Sequence, residues 1–169
     1  MGKRRIRNLH FYGQHRIIGY DIRPDRRREA KEKYSIEIIS DLKKIAKENF
    51  DAMIISTPPD QHGDYIRLAL MLDKHFFVEH PTSDDGYQEI LKHNNLKIVK
   101  APSCTLRFYR PIKMIKDILE KGKIGKVLAF QYHLGQYLPD WHPYEDYRQV
   151  YFAKKPTGAC REMLPFELI

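Results

Sequence analysis

Cysteine is scarce in this chain: Cys104 and Cys160 are the only two in 169 residues. Two distant thiols exclude a disulfide framework and a zinc ribbon, and both read as small buried residues. Such usage leads one to expect a reducing cytoplasm. No apolar run approaches the roughly 20 residues of a membrane-spanning helix, and Met1-Gly-Lys-Arg-Arg lacks the apolar core of a secretory signal. Internal repeats and low-complexity segments are absent as well. Acidic residues are in deficit, 22 against 30 Lys and Arg, for a net charge of +8. The densest basic clusters are Lys3–Arg7 and Arg23–Arg28, and the second runs on into Glu29, Lys31, Glu32 and Lys33 as a solvated helix face would. No zinc-finger, RNP-type or recognition-helix signature accompanies them. The charge therefore points to a solvated surface or an anionic small ligand and not to nucleic acid.

What is present is centred on Asp51 to Pro81. Ala52 to Ser56 is a short apolar run closed by Pro58 and Pro59, the pattern of a strand covered on both faces. Pro59 suits the first turn of a helix, with Thr57 or Asp60 as cap. Tyr65, Leu68, Ala69 and Leu72 then recur at helical spacing. His75 to Glu79 repeats the strand pattern and Pro81 ends it. Strand, helix and strand in about thirty residues form a βαβ unit, whose ligands bind beyond the carboxyl ends of the strands. Thr57–Pro59 and Glu79–Pro81 are thus the places to look for chemistry.

Around this unit the alternation continues. Lys3 to Tyr12 reads as a helix with Ile6, Leu9 and His10 or Phe11 inward, and Arg16 to Tyr20 as a strand. A helix capped by Asp25 runs to about Tyr34, and Ile36 to Ile39 is a strand. Ser40 or Asp41 caps a helix ending near Asn49. Beyond the central unit, Asp84 or Asp85 starts a helix to about Asn94, Leu96 to Val99 is a strand and 101–108 a loop. Pro111 to Lys121 is a helix with Ile112, Ile115, Ile118 and Leu119 inward. From Lys126 the texture changes: Val127 to Leu138 alternates like an antiparallel strand with one wet face, and Gly158 onward could start a helix. The fold expected is α/β, a doubly wound parallel sheet over residues 1–122, followed from residue 123 by the start of a second domain. The chain opens on Gly2 and a helix, so this sheet lacks its first, central strand.

Five segments in order, the Gly2 helix start, STPPDQH (56–62), VEHP (78–81), LRF (106–108) and GKIGKV (122–127), resemble the Gfo/Idh/MocA family of glucose–fructose oxidoreductase, inositol dehydrogenase and relatives. The resemblance implies a Rossmann-like domain, then an open antiparallel α+β sheet that binds substrate, with both ends of the chain truncated. It implies an oxidoreductase that passes a hydride between NAD, or possibly NADP, and a sugar, cyclitol or related polyol. A non-catalytic nucleotide- or sugar-binding relative, or an inactive fragment, is the alternative. No membrane or nucleic-acid partner is implied, and a homo-oligomer is possible in the full-length form.

The resemblance also assigns residues. Gly2 is the last glycine of the GxGxxG loop, beside the pyrophosphate, with the two turn glycines missing. Asp21, at a strand end, accepts the adenosine ribose hydroxyls, or is a turn residue; Arg23 and Arg26 could accommodate a 2′-phosphate instead. Ser56, Thr57, Pro58 and His62 line the cofactor's ribose and nicotinamide side, with His62 read as a structural histidine before an acid or base. Glu79 and His80 stand at the family's E-K-P, where the lysine serves hydride transfer, so His80 becomes the candidate acid or base. In the segment where members carry an Asp and a catalytic His, this chain has Met163 and Phe166, leaving Arg161 and Glu162 as the nearest polar groups and Glu162 as a second catalytic candidate. Arg107 faces the cleft, and Trp141 and His142, with Tyr137, Asp140 and Tyr144, offer aromatic faces and polar edges of the kind that bind sugars. A metal is not expected, because Asp140 and His142 have no third ligand nearby.

Overall fold

The computed structural model describes residues 1–13, 16–80, 83–93, 95, 97–155, 157, 158, 161, 163 and 164. Pro81, Asn94, Leu96, Cys160, Glu162 and Phe166, named above, lie outside the described residues. The chain forms two compact units. The first comprises residues 1–57, 61–79 and 85–101, the second 58–60, 80–84 and 102–169. None of the described helices is long and apolar enough to cross a membrane.

The first unit is built on parallel strands. Helix α1 (Gly2–Phe11) leads to β1 (Ile18–Gly19), α2 (Pro24–Tyr34) and β2 (Glu37–Ile38). A 3-10 turn over Leu42–Lys47 connects to β3 (Ala52–Ile55), followed by α3 (His62–Met71), β4 (His75–Val78), α4 (Tyr87–Lys92) and β5 (Lys100–Pro102). Strands β1 and β2 pair in parallel, Ile18 with Glu37 and Gly19 with Ile38. A second sheet has the order β3-β4-β5, with Ala52 opposite His75 and Ile55 opposite Val78. The two ladders are not joined among the described residues, and the break falls where the alternation leaves room for a central strand.

One face of the larger sheet is the core. In parallel register Met53, Ile55, Phe76 and Val78 share that face, and Ile66, Ala69, Leu70 and Ile90 pack on it from α3 and α4. The opposite face carries Ile54, which is 37% exposed, and Phe77, with the Arg5 guanidinium of α1 4.5 Å from its ring centre. Strand β3 is therefore half covered, not covered on both faces. Helix α3 is also rotated from its expected face: His62, Gly63, Ile66, Ala69 and Leu70 are buried, while Tyr65, Leu68 and Leu72 are only half-buried. The cause is local. The His62 ring is drawn to the Thr57 carbonyl, and Gly86 comes against Gly63 and Ile66. At Gly86, φ is +85° and a Cβ would stand 3.3 Å from the Gly63 Cα, so only glycine fits this close approach.

Helix ends depart from the simple capping signals. Asp25 sits inside the first turn of α2, paired with Arg23, and does not cap it. Asp41 does cap, accepting from the Lys43 N–H at 3.0 Å, but the segment it opens is 3-10. Neither Thr57 nor Asp60 caps α3, which begins after a 3-10 turn at Pro59–Gln61. Helix α4 starts at Tyr87, two residues after Asp85, with Gly86 at its N-cap, and β5 lies later than the expected strand at 96–99. His10 and Phe11 of α1 face solvent, while Ile6 and Leu9 are half-buried as expected.

In the second unit a single turn, α5 (Thr105–Phe108), replaces the expected loop and precedes α6 (Arg110–Glu120). The apolar stripe of α6 is real but uncovered: Ile115 is 53% exposed, and Ile112 and Leu119 are exposed too. The residues from Val127 to Tyr137 form no strand, and Leu128 and Phe130 are more than 80% exposed. Alternation suits a sheet only where a neighbouring strand takes up the backbone groups, and the described residues offer none. A short helix α7 (Leu138–Trp141) and 3-10 turns at Tyr147–Gln149 and Tyr151–Ala153 follow. Cys104 is half-buried, its thiol donating to the Pro102 carbonyl at 3.2 Å.

Surface ion pairs lower several carboxyls. Hydrogen bonding to Arg23 pulls Asp25 from 3.8 to about 2, and Lys3, Arg16, Arg67 and Arg148 lower Glu29, Glu37, Asp85 and Asp146. A carboxyl lowered on folding adds stability that is full above its unfolded value and is lost as pH falls through the folded one. Thermal melting should thus be destabilised progressively as pH drops from about 4.5 toward about 2, the interval those shifts span. A melting temperature unchanged down to the bottom of that interval would remove these pairs from the account.

Candidate functional site

The carboxyl ends of β3 and β4 meet the start of α1. Glu79, 7% exposed, lies just past β4 and accepts two hydrogen bonds from Arg5, Nε to Oε1 at 2.6 Å and Nη2 to Oε2 at 2.9 Å. Ser56, just past β3, donates its hydroxyl to Glu79 Oε1 at 3.4 Å. A Cβ on Gly2 would stand 3.9 Å from the Ser56 Cβ, so the first turn of α1 lies directly against this strand end. Gly2, Ser56 and Glu79 are thus brought together, and Arg5 holds them. Arg5 escaped the sequence reading because it belongs to a run of cations that looks like surface. The available signal was its place three residues after Gly2, on the inward side with Ile6.

Thr57 follows Ser56. Its carbonyl lies 3.0 Å from His62 Nε2, and His62 is 3% exposed, so the histidine fixes the loop between β3 and α3. The Thr57 hydroxyl is buried with no hydrogen-bond partner among the described residues. A buried orphan hydroxyl is costly unless a ligand meets it.

Asp21 lies in the turn that follows β1. Its Oδ1 accepts the Arg23 N–H at 2.8 Å, and its carboxylate accepts nothing further among the described residues. Arg23 turns its guanidinium onto Asp25 through a bidentate pair at 2.6 and 3.1 Å. Arg27, also unnoticed in the sequence, donates to the Asp21 and Ile22 carbonyls at 2.6 and 3.1 Å and ties down this turn. Burial chiefly, with Tyr20, Asp21 and Asp64 nearby, pushes the Tyr65 phenol above its ordinary value. Asp21 is therefore held by the backbone with carboxylate capacity to spare, and the Arg23 guanidinium is engaged by Asp25.

These features fit a dinucleotide: a helix start without a side chain in the way, a spare carboxylate and an unpartnered hydroxyl. Gly2 would meet phosphate, Asp21 the ribose hydroxyls and Thr57 a further polar group.

The other candidates belong to the second unit. Pro58 is exposed and His80 half-buried. Arg107 is exposed on α5, with no ion pair among the described residues. Trp141 stacks on Phe152 with ring centres 5.3 Å apart and an interplanar angle of 24°. His142 pairs with Glu145 at 2.7 Å, stacks on Tyr144 and meets Phe152 edge-on. Trp141 and His142 are thus neighbours in one aromatic cluster. Among the described residues no three His, Cys, Asp or Glu side chains gather as a metal would need.

Residues 1–105 match a family profile described as an oxidoreductase family, NAD-binding Rossmann fold. The myo-inositol 2-dehydrogenase of Thermotoga maritima is 30% identical over 111 residues, which are 63% of this chain and 33% of that protein. An uncharacterized oxidoreductase of Schizosaccharomyces pombe is 27% identical over 99 residues, 55% of this chain and 26% of that one. The crystal structure of myo-inositol 2-dehydrogenase from Lactobacillus plantarum superposes with a TM-score of 0.66 at 22% identity, covering 75% of this chain and 40% of that one. A probable dehydrogenase from Thermotoga maritima gives 0.64 at 25% identity, covering 74% and 39%. The chain spans about a third or less of the length of the curated relatives it matches.

Proposed function

Because the chain belongs to the Gfo/Idh/MocA oxidoreductase family, over its NAD-binding Rossmann fold, we propose that the whole protein is an NAD-dependent dehydrogenase of a sugar, cyclitol or related polyol. The observation that carries this reading is the convergence of Gly2, Ser56 and Glu79 at one strand edge, with the Thr57 hydroxyl unpartnered beside it. Asp21 accepts the ribose hydroxyls and repels a 2′-phosphate, which favours NAD over NADP, and the engagement of Arg23 by Asp25 supports the same preference. The inositol dehydrogenases among the relatives support the substrate class. The bound nicotinamide supplies the hydride chemistry. His80, standing where the family's lysine does, takes the proton of the substrate hydroxyl, and Arg107, Trp141 and His142 hold the substrate. A reducing cytoplasm is the compartment that the cysteine usage supports.

Calorimetric titration of NADH and NADPH tests the reading. NADH should bind more tightly than NADPH, and Asp21→Ala should weaken NADH about tenfold to a hundredfold, the worth of charge-assisted hydrogen bonds to two hydroxyls. Binding of neither nucleotide would sink the proposal.

His80 in place of lysine favours one second reading, nucleotide binding without turnover. Reduction of NAD by a panel of inositols and sugars separates the two, and a His80→Lys variant that turns over where the parent does not would establish the second.

A further inference from the structure

Within the Lys3–Arg7 run, Lys3, Arg4 and Arg7 are exposed, whereas Arg5 turns inward and is half-buried. Its guanidinium is fixed from two sides. The face lies over Phe77, 4.5 Å from the ring centre, and the Nε–Nη2 edge is taken by Glu79 at 2.6 and 2.9 Å. The other edge, Nη1 with the second N–H of Nη2, makes no hydrogen bond among the described residues. The Arg5 side chain keeps 20% of its surface open. An arginine needs neither contact to stay solvated, so an edge held in place and left unused is an edge available to a ligand.

Glu79 is in the opposite condition. Both of its oxygens accept from Arg5, Oε1 also accepts from Ser56 at 3.4 Å, and its side chain is only 10% exposed. A carboxylate so engaged has little left for a ribose hydroxyl, and its charge opposes a phosphate. What it supplies is aim, because a two-pronged contact fixes the plane of a guanidinium. Helical side chains lean back over the preceding turn, so Arg5 lies over the turn that Gly2 opens, where a helix start favours an anion. The Thr57 hydroxyl, buried and unpartnered next to Ser56, is a second unmet polar group at this strand end. Gly2, Arg5, Ser56, Thr57, Phe77 and Glu79 all belong to the first unit.

We propose that Arg5 is a cofactor-binding residue, which donates the free edge of its guanidinium to the pyrophosphate of the dinucleotide. Glu79 acts through Arg5 as a positioning residue and does not itself meet the cofactor. The inference rests on the reading of the chain as one that binds NAD. It reassigns Glu79, which the family resemblance places at the cofactor, and gives a task to a cation that the resemblance leaves unassigned.

NADH, ADP-ribose and adenosine are titrated into the 169-residue chain by calorimetry, and the side-chain nitrogen resonances of its arginines are followed by NMR. The Arg5 signals are assigned by their absence from the Arg5 variants. ADP-ribose, which keeps the pyrophosphate, should shift them, and adenosine, which lacks it, should not. Arg5→Met with Glu79→Leu leaves no charge buried, and denaturation should show it folded. It should nevertheless bind NADH and ADP-ribose about tenfold to a hundredfold more weakly, the worth of a charge-assisted contact. Arg5→Met alone should weaken them further, because the bare Glu79 carboxylate then opposes the phosphate. A double variant that binds NADH as the parent does would overturn the inference and leave the NAD reading standing. Arg5 signals indifferent to ADP-ribose in a parent that binds it would do the same, with no variant required to fold. A parent that binds neither NADH nor ADP-ribose would fell the NAD reading and this inference with it.

Discussion

Replacing Arg5 by alanine is expected to destabilise the first unit by about 3 kcal/mol, the cost of stranding one member of a largely buried ion pair. Glu79 is 7% exposed and accepts two charged hydrogen bonds from Arg5; with that guanidinium gone, the weaker Ser56 hydroxyl contact and the nearby Met1 ammonium are left to it. Glu79→Ala should cost a similar amount, because it leaves the Arg5 charge over the Phe77 ring without its counterion. Arg5→Lys should recover little, since a lysine cannot make the two-pronged contact. The pair Arg5→Met with Glu79→Leu should be far less damaging than either alanine, because no charge is then left buried. Chemical denaturation of Arg5→Met, Glu79→Leu and the double variant, beside the parent, closes a double-mutant cycle. A coupling near zero would mean that the pair is ornamental. The same variants should bind NADH more weakly, because this pair holds the first turn of α1 against Ser56.

The second large effect is expected at Phe76. It is 3% exposed at the centre of β4 and packs with Ile55, Ile66, Ala69, Leu70 and Val78. Phe76→Ala removes most of a buried aromatic ring from a cluster this small, and should cost about 3 to 5 kcal/mol, a large share of the roughly 5 to 15 kcal/mol that holds an ordinary domain together. Phe76→Leu should cost much less, since it retains most of the volume. Thermal melting followed by circular dichroism decides. If alanine shifts the midpoint by no more than leucine, the face between β4 and α3 is not the core. Phe77, its neighbour on the opposite face, should be the more tolerant position.

Much of this architecture was legible because the strands announce their own ends. Pro58 and Pro59 after β3 stop the ladder by chemistry that no tertiary contact overrides, and β4 and α3 fall within a few residues of their expected places. What periodicity does not encode is coverage. The stripe of Ile112, Ile115 and Leu119 on α6 has the spacing of a buried face and stands exposed, because a stripe records what a helix can bury and not whether a partner is there. The run from Val127 to Leu138 failed for the same reason, since pairing is a property of two segments. The rotation of α3 came from a single contact, His62 on the Thr57 carbonyl, that spacing alone could not rank above the Leu68 and Leu72 face. Asp21 and Ser56 stand just past strand ends, as expected. The role of Arg5 was not legible, because a cation with a buried partner looks the same in sequence as one that is merely solvated.

The ladder of β3 with β4 joins positions close along the chain, from Ala52 with His75 to Ile55 with Val78, and α3 packs on that ladder from between them. Closing so short a loop forfeits little chain entropy before packing begins to repay it. This segment closes a far shorter loop than the Arg5–Glu79 contact does, and it carries Ser56, Thr57 and Glu79 on its ends. The strand edge that carries Ser56 and Glu79 is therefore expected to form before the Arg5 contact, whose partners lie 74 residues apart.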